Sequence, residues 1–199
     1  MAERKYDKLF RIKTVGIREW KNGTNHYNRY EATPYVALDK LFKRYKLNKS
    51  HRVVDFGCGR GRVTFYIHNR FHIPVTGIEV NDTTYDEAIA NKRRYRQRAK
   101  YITAPINFEY GFAENYEIQG LDNVFYFFNP FSSKIFKKVT KNIVKSVNES
   151  QRTVDIILYY PMPGYKEFIK NHTSFRLINK IRVPNGKDKK EKFLIYRSG

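Results

Sequence analysis

Val53-Val54-Asp55-Phe56-Gly57-Cys58-Gly59-Arg60-Gly61-Arg62 decides how the rest of the chain is read. A short apolar run enters three glycines at alternate positions, and residues 63–67 continue with helical character. Glycine admits positive φ and leaves no Cβ between main chain and ligand, while the first N–H groups of the following helix favour an anionic group. The stretch is therefore read as a strand-to-helix turn on which a flat, partly charged cofactor can lie. A dinucleotide-binding turn spaces its glycines as G-x-G-x-x-G, and the third would fall where Arg62 stands, which argues against that cofactor. A ligand-free turn is the lesser reading, because three clustered glycines cost backbone entropy that only close approach offsets.

Outward from the turn, short apolar runs alternate with longer amphipathic ones. Strands are expected at 52–56, 74–80, 106–110, 124–128 and 154–160, and helices at 62–71, 84–100, 134–148 and 165–171. Runs such as Val124-Phe125-Tyr126-Phe127-Phe128 alternate little, as strands covered on both faces do. This is the βαβα order of a mostly parallel sheet. The tail departs from it: 174–183 and 192–197 alternate apolar and polar residues around Pro184-Asn185-Gly186-Lys187-Asp188, the pattern of an antiparallel hairpin. Upstream, Thr33-Pro34 reads as an N-cap followed by the first position of a helix reaching Tyr45.

The length of 199 residues suits one domain, expected as an N-terminal extension or lid (1–50) packed on a core (51–199). With 39 Lys and Arg against 19 Asp and Glu, the net charge is +20. Such an excess points to a polyanionic partner: RNA first, DNA second, with an anionic membrane surface behind them. Basic residues concentrate at 92–101 and 187–192, the first interleaved with tyrosines suited to stacking on bases; a solvated helix end is the plainer meaning of such a run. Cys58 is the only cysteine, so an internal disulfide and a Cys/His metal cluster are both excluded, and no metal is expected. No apolar run approaches the roughly 18–20 residues that span a bilayer. The expectation is a cytoplasmic, soluble protein of undetermined oligomeric state.

Asp55-x-Gly57-x-Gly59-x-Gly61 resembles motif I of the class I S-adenosylmethionine (SAM) methyltransferases. The parallel unit with its terminal antiparallel pair resembles their three-layer, Rossmann-like, seven-stranded core, in which the seventh strand inserts between the fifth and sixth. The resemblance implies SAM as cofactor, with Asp55, Gly57, Cys58, Gly59 and Gly61 at its methionine end. Glu79, closing Ile78-Glu79-Val80-Asn81, would accept hydrogen bonds from the ribose hydroxyls, and Ala113 and Glu114 would meet the adenine. The segment His26-Tyr27-Asn28-Arg29-Tyr30-Glu31-Ala32-Thr33-Pro34-Tyr35 is similar to a lid over the cofactor, with Tyr30 and Thr33 as contacts.

At the fourth strand end, Asn129-Pro130-Phe131 resembles the Asn/Asp-Pro-Pro-Tyr/Phe motif of amino-methylating enzymes, although it has one proline where that motif has two. There the asparagine oxygen and proline carbonyl accept an amine's hydrogens and the aromatic stacks on its planar group. Asn129, Pro130 and Phe131 are the catalytic candidates, Asn129 also bordering the cofactor; a helix-opening turn with Ser132 and Ser133 as caps is the structural alternative. Asn-Pro-Phe together with Tyr30-x-x-Thr33-Pro34-Tyr35 is similar to small bacterial methyltransferases of undefined substrate. The expected reaction is methyl transfer to a nitrogen of RNA; a protein lysine or glutamine methyltransferase and a non-catalytic SAM- or RNA-binding module are the alternatives.

Overall fold

A computed structural model describes residues 2–19, 26–183 and 188–199. Four of the five residues of the expected hairpin turn, 184–187, and the first residue of the basic run 187–192 lie outside them. Seven strands form one sheet: β1 (Val53–Phe56), β2 (Val75–Glu79), β3 (Ile106–Tyr110), β4 (Val124–Phe128), β5 (Asp155–Tyr159), β6 (Arg176–Arg182) and β7 (Lys192–Arg197). Their spatial order is β3-β2-β1-β4-β5-β7-β6. β1 to β5 are parallel and β7 runs antiparallel between β5 and β6, as the class I core requires.

Six helices cover the sheet: α1 (Ala2–Phe10), α2 (Tyr35–Arg44), α3 (Arg62–Phe71), α4 (Asp82–Arg98), α5 (Ser133–Glu149) and α6 (Pro163–His172). Successive side chains of a strand point to opposite faces, so each central strand feeds two cores. Val53, Tyr126, Ile157 and Ile195 pack with α1 to α4 through Leu38, Leu41, Phe65 and Tyr95. Val54, Phe125, Phe127, Ile156 and Leu158 pack with α5 and α6 through Phe136, Ile143, Tyr165 and Ile169. Burial on both faces explains why these strands show so little alternation in sequence.

Two departures from the sequence reading concern the N-terminal segment. α1 was not foreseen: its charged sequence conceals Tyr6 and Phe10, whose rings pack against Tyr35. Thr33 does not cap α2. Pro34 occupies the N-cap position with no side-chain cap, and the Thr33 hydroxyl shares a 2.8 Å hydrogen bond with that of Tyr126 beneath the sheet's first face. Residues 2–19 and 26–34 are fastened to the core by buried polar groups. Asp7 accepts hydrogen bonds from Thr14 N–H (2.6 Å), Thr14 Oγ1 (2.6 Å) and Tyr35 Oη (2.8 Å). Arg62, the first residue of α3, donates to Thr14 Oγ1, pairs with Glu3 and lies 4.6 Å from the Tyr35 ring.

At the opposite edge of the parallel unit, Asp155 at the start of β5 is buried. It receives Nε and Nη2 of Arg197 at 2.8 Å each and the Tyr45 hydroxyl at 2.5 Å. This pair fixes the register of β7 against β5.

Candidate active site

The strand order reverses between β1 and β4, and there the turns after the two strands meet. In an open α/β sheet a ligand binds in that crevice, beyond the carboxyl ends of the strands. Gly57, Gly59 and Gly61 have φ of +71°, +56° and +87°. A Cβ on Gly57 would fall 2.4 Å from the Cβ of Pro130, and one on Gly59 2.2 Å from the Tyr30 ring. Both glycines are therefore required by close approach. Gly61 has a different reason: its missing Cβ makes room for Phe65 and Phe108, inside the core.

Glu79 organises the crevice. Its carboxylate is 7% exposed and accepts hydrogen bonds from the N–H groups of Gly59 (2.9 Å), Val80 (2.9 Å) and Asn81 (2.8 Å). Burial raises its pKa, and the three N–H donors work against that rise. A carboxylate offers about four lone-pair sites, so one acceptor position stays free for a hydroxyl. Asn81, two residues on, caps α4 by accepting from Thr84 N–H at 2.9 Å.

A cavity of about 40 Å³ lies between residues 27–31 on one side and Gly57, Ile78, Glu79, Val80, Asn81, Thr84, Gly111, Ala113, Phe128 and Pro130 on the other. Of the residues singled out from the sequence, Tyr30, Gly57, Glu79, Ala113 and Pro130 line it. Asp55, Cys58, Gly59, Gly61, Thr33, Glu114, Asn129 and Phe131 do not. Asp55 sits below the loop, 3% exposed, and accepts a 2.9 Å hydrogen bond from Thr64 Oγ1; burial pushes its pKa up to about 7. Cys58 is buried against Gly77, its thiol pKa raised by burial. Glu114 accepts from the Tyr27 hydroxyl at 2.6 Å at the cavity margin. Phe131 is 1% exposed, edge-on to Tyr27 and Phe127, with its carbonyl taking the Tyr165 hydroxyl. The ring that reaches the cavity is Phe128 instead.

The lead-in segment is laced onto the turn after β4. Tyr27 bridges Phe131, Asn28 N–H donates to the Pro130 carbonyl at 2.9 Å, and Ser132 N–H donates to the His26 carbonyl at 2.7 Å. The Asn28 side-chain amide donates to the Asn129 carbonyl at 2.8 Å and approaches Asn129 Oδ1 at 3.3 Å. Asn129 holds φ +40°, a left-handed conformation that asparagine tolerates better than most residues, and this turns its oxygens toward Asn28. On the other flank, Tyr30 donates to the Thr14 carbonyl at 2.6 Å, with the Arg60 guanidinium 4.9 Å from its ring. Glu87 of α4 holds both Arg60 (2.7 Å) and Arg18 (2.5 Å). Asn28 carries no mark in the sequence that separates it from its polar neighbours; its position depends wholly on pairing with a turn about a hundred residues away. Asn81 was legible as an asparagine placed just before a helical run.

The residues fit SAM. Gly57 of the turn and Glu79 both line the cavity, and Glu79 keeps one acceptor position that a ribose hydroxyl would take. An adenosyl ligand needs several times the present space, on the scale of roughly 300–1,000 Å³ for small-molecule sites, and residues 27–31 form one wall of the cavity. Among the described residues no group of His, Cys, Asp and Glu could hold a metal ion, and no helix is long and apolar enough to cross a membrane.

Comparison with known proteins agrees with this geometry. The chain is 26% identical over 143 residues to a malonyl-[acyl-carrier protein] O-methyltransferase of Bacillus anthracis, covering 71% of this chain and 48% of that one. It is 32% identical over 63 residues to a protein-lysine N-methyltransferase of Saccharolobus islandicus, covering 31% and 39%. The chain thus spans less than half the length of these curated relatives. A methyltransferase structure from Pyrococcus furiosus superposes with a TM-score of 0.64 at 15% identity, over 100% of this chain and 94% of the other, a likeness of fold. Other solved structures of this fold, RNA methyltransferases among them, hold S-adenosylhomocysteine or SAM. SAM is the cofactor that fold and family imply. Residues 6–161 match the family described as histone methylation protein DOT1, and since that span is most of the chain, the protein belongs to this family.

Proposed function

We propose that the chain transfers a methyl group from SAM to a nitrogen acceptor on RNA. One observation carries the nitrogen assignment: the Asn129 carbonyl and side-chain oxygen receive a primary amide from Asn28, and the Pro130 carbonyl beside them receives its backbone N–H. Those oxygens form a ready receptor for an N–H₂ group, and an acceptor amine takes the place of Asn28 when the lead-in segment lifts. Accepting its hydrogens orients the nitrogen lone pair and increases its electron density. SAM, when bound, would supply an electrophilic methyl on a sulfonium; attack by that lone pair forms the N–C bond as the S–C bond breaks, with S-adenosylhomocysteine leaving and the nitrogen's extra proton passing to solvent. Glu79 and the glycine turn position the cofactor, Phe128 and Pro130 wall the acceptor, and residues 27–31 exclude water. Phe131, enclosed in the core, holds the turn in place.

RNA is supported by the +20 charge and by RNA methyltransferases among proteins of the same fold. A protein lysine acceptor is the second reading, supported by the family description and by the Saccharolobus islandicus relative. Incubation with methyl-labelled SAM and separated RNA, DNA and protein fractions distinguishes them. Label in RNA is the expected outcome; label in protein alone selects the second reading, and none anywhere removes catalysis. Within the labelled reaction, Asn129→Gly, which keeps the φ +40° conformation at no steric cost, is expected to lower turnover by about 10²-fold while S-adenosylhomocysteine affinity stays within a few-fold. Equal losses in both would make Asn129 part of the cofactor pocket.

A further inference from the structure

We propose that the outward face of α5 is the path along which a single-stranded RNA leaves the acceptor site. The proposal rests on the RNA reading above and adds the surface that holds the strand. Lys134, Lys137, Lys138, Lys141 and Lys145 are all exposed on this helix, whose only acidic residue is Glu149 in its last turn. Lys134, Lys138, Lys141 and Lys145 follow one another at intervals of four, three and four, which aligns them along one side of the helix. At 1.5 Å per residue the row extends about 16 Å. Lys138 lies 3.9 Å from Glu114 and Lys145 3.7 Å from Glu149; Lys134, Lys137 and Lys141 form no ion pair among the described residues.

Position distinguishes this row from the other basic run. α5 begins immediately after Asn129-Pro130-Phe131-Ser132, so its first lysine stands next to the acceptor turn and the row leads away from it. The 92–101 run lies at the far end of α4, a helix whose start is at the cavity, and several of its cations are already committed. Arg94 donates to the Arg11 carbonyl and to Asn91, Arg96 donates to the Ile102 carbonyl, and Lys92 is partly buried. Beside the α5 row, Lys137 Nζ lies 5.8 Å from the Phe168 ring, on which the His172 ring stacks at 5.1 Å. Phe168 is itself buried, so the exposed His172 ring is the surface here on which an unpaired base can stack. A single strand is favoured over a duplex because a base has to leave its stack to enter a narrow crevice, which costs least where it is already unpaired. A basic protein tail would be repelled by the same lysines.

The test is fluorescence anisotropy of a labelled oligouridylate with the full chain across a salt series. The triple variant Lys137→Glu, Lys141→Glu, Lys145→Glu is compared with the charge-matched Arg93→Glu, Arg98→Glu, Lys100→Glu. The α5 triple is expected to bind about tenfold or more weakly, with the log–log salt slope shallower by about 2. The α4 triple should lose distinctly less. Both sets are exposed, so circular dichroism and S-adenosylhomocysteine binding should remain those of the parent. Equal losses in the two triples, an unaffected α5 triple, or binding of duplex DNA or polyglutamate as tight as that of the oligouridylate would overturn the proposal. Because this binding is measured without methyl transfer, RNA binding lost in the α5 triple while only protein accepts label would retain the surface and remove the RNA substrate.

Discussion

Asp55 illustrates how a motif residue can act on a site without touching it. Its carboxyl is buried beneath the glycine turn with the hydroxyl and backbone N–H of Thr64 as partners, and burial pushes its pKa up to about 7. The ordinary carboxylate value in an unfolded chain is about 3.9. The native state therefore holds this proton more tightly than the unfolded chain does, and stability falls as pH rises from about 4 to about 7, where the native carboxyl ionises. Asp55→Asn, which cannot ionise, should flatten the dependence of melting temperature on pH across that window. A variant with the parent's slope would show that another group is responsible. Glu79 shares the direction of shift, but it has three N–H donors to compensate its charge where Asp55 has the hydroxyl and N–H of Thr64 alone. That difference suits Glu79 to remain an acceptor in the cavity while Asp55 supports the turn from below.

At the scale of elements, the lead-in segment and the turn after β4 act as one unit. Asn28 joins them through its backbone N–H and its side-chain amide, and with Tyr27 and Tyr30 it closes the crevice. Asn28→Ala removes the side-chain bonds and retains the backbone bond, so the segment should open more readily without unfolding. Stopped-flow mixing is expected to show S-adenosylhomocysteine associating several-fold faster with this variant, its circular dichroism unchanged. An unchanged or slower association rate would mean that residues 27–31 do not control entry. The sequence contained part of this arrangement. The density of donors and rings at 26–35 drew attention to this segment and Asn129-Pro130 to the strand end, and the structure brings the two into contact. That the first would fill the second was not legible, because the contact joins residues far apart in sequence and depends on the left-handed φ of Asn129. Phe131 was misplaced for a related reason: with one proline instead of two, the ring follows the turn into the core against Tyr165 and Phe127.

Across the whole molecule, the parallel sheet was readable because both-face burial removes alternation from β4 and β5; the hairpin was placed correctly, but β7 is buried on both faces and β6 is exposed at all but Asn179 and Ile181, so neither has the alternation expected of it. α1 was not readable, since nine residues rich in charge form a helix only through the packing of Tyr6 and Phe10 on Tyr35. Charge was readable as an excess and not as a surface: composition alone does not separate the committed cations of α4 from the exposed lysines of α5, of which Lys134, Lys137 and Lys141 form no ion pair among the described residues. What unites sheet, glycine turn and lid is the claim that the crevice between β1 and β4 is a SAM site. Calorimetric titration with S-adenosylhomocysteine tests it most directly, on the parent and on Gly57→Val, whose added side chain would meet Pro130 in the crevice. The account predicts saturable one-to-one binding by the parent and none by the variant, with the variant's circular dichroism native. No binding by the parent, preference for NAD over S-adenosylhomocysteine, or undiminished binding by a folded Gly57→Val would contradict it.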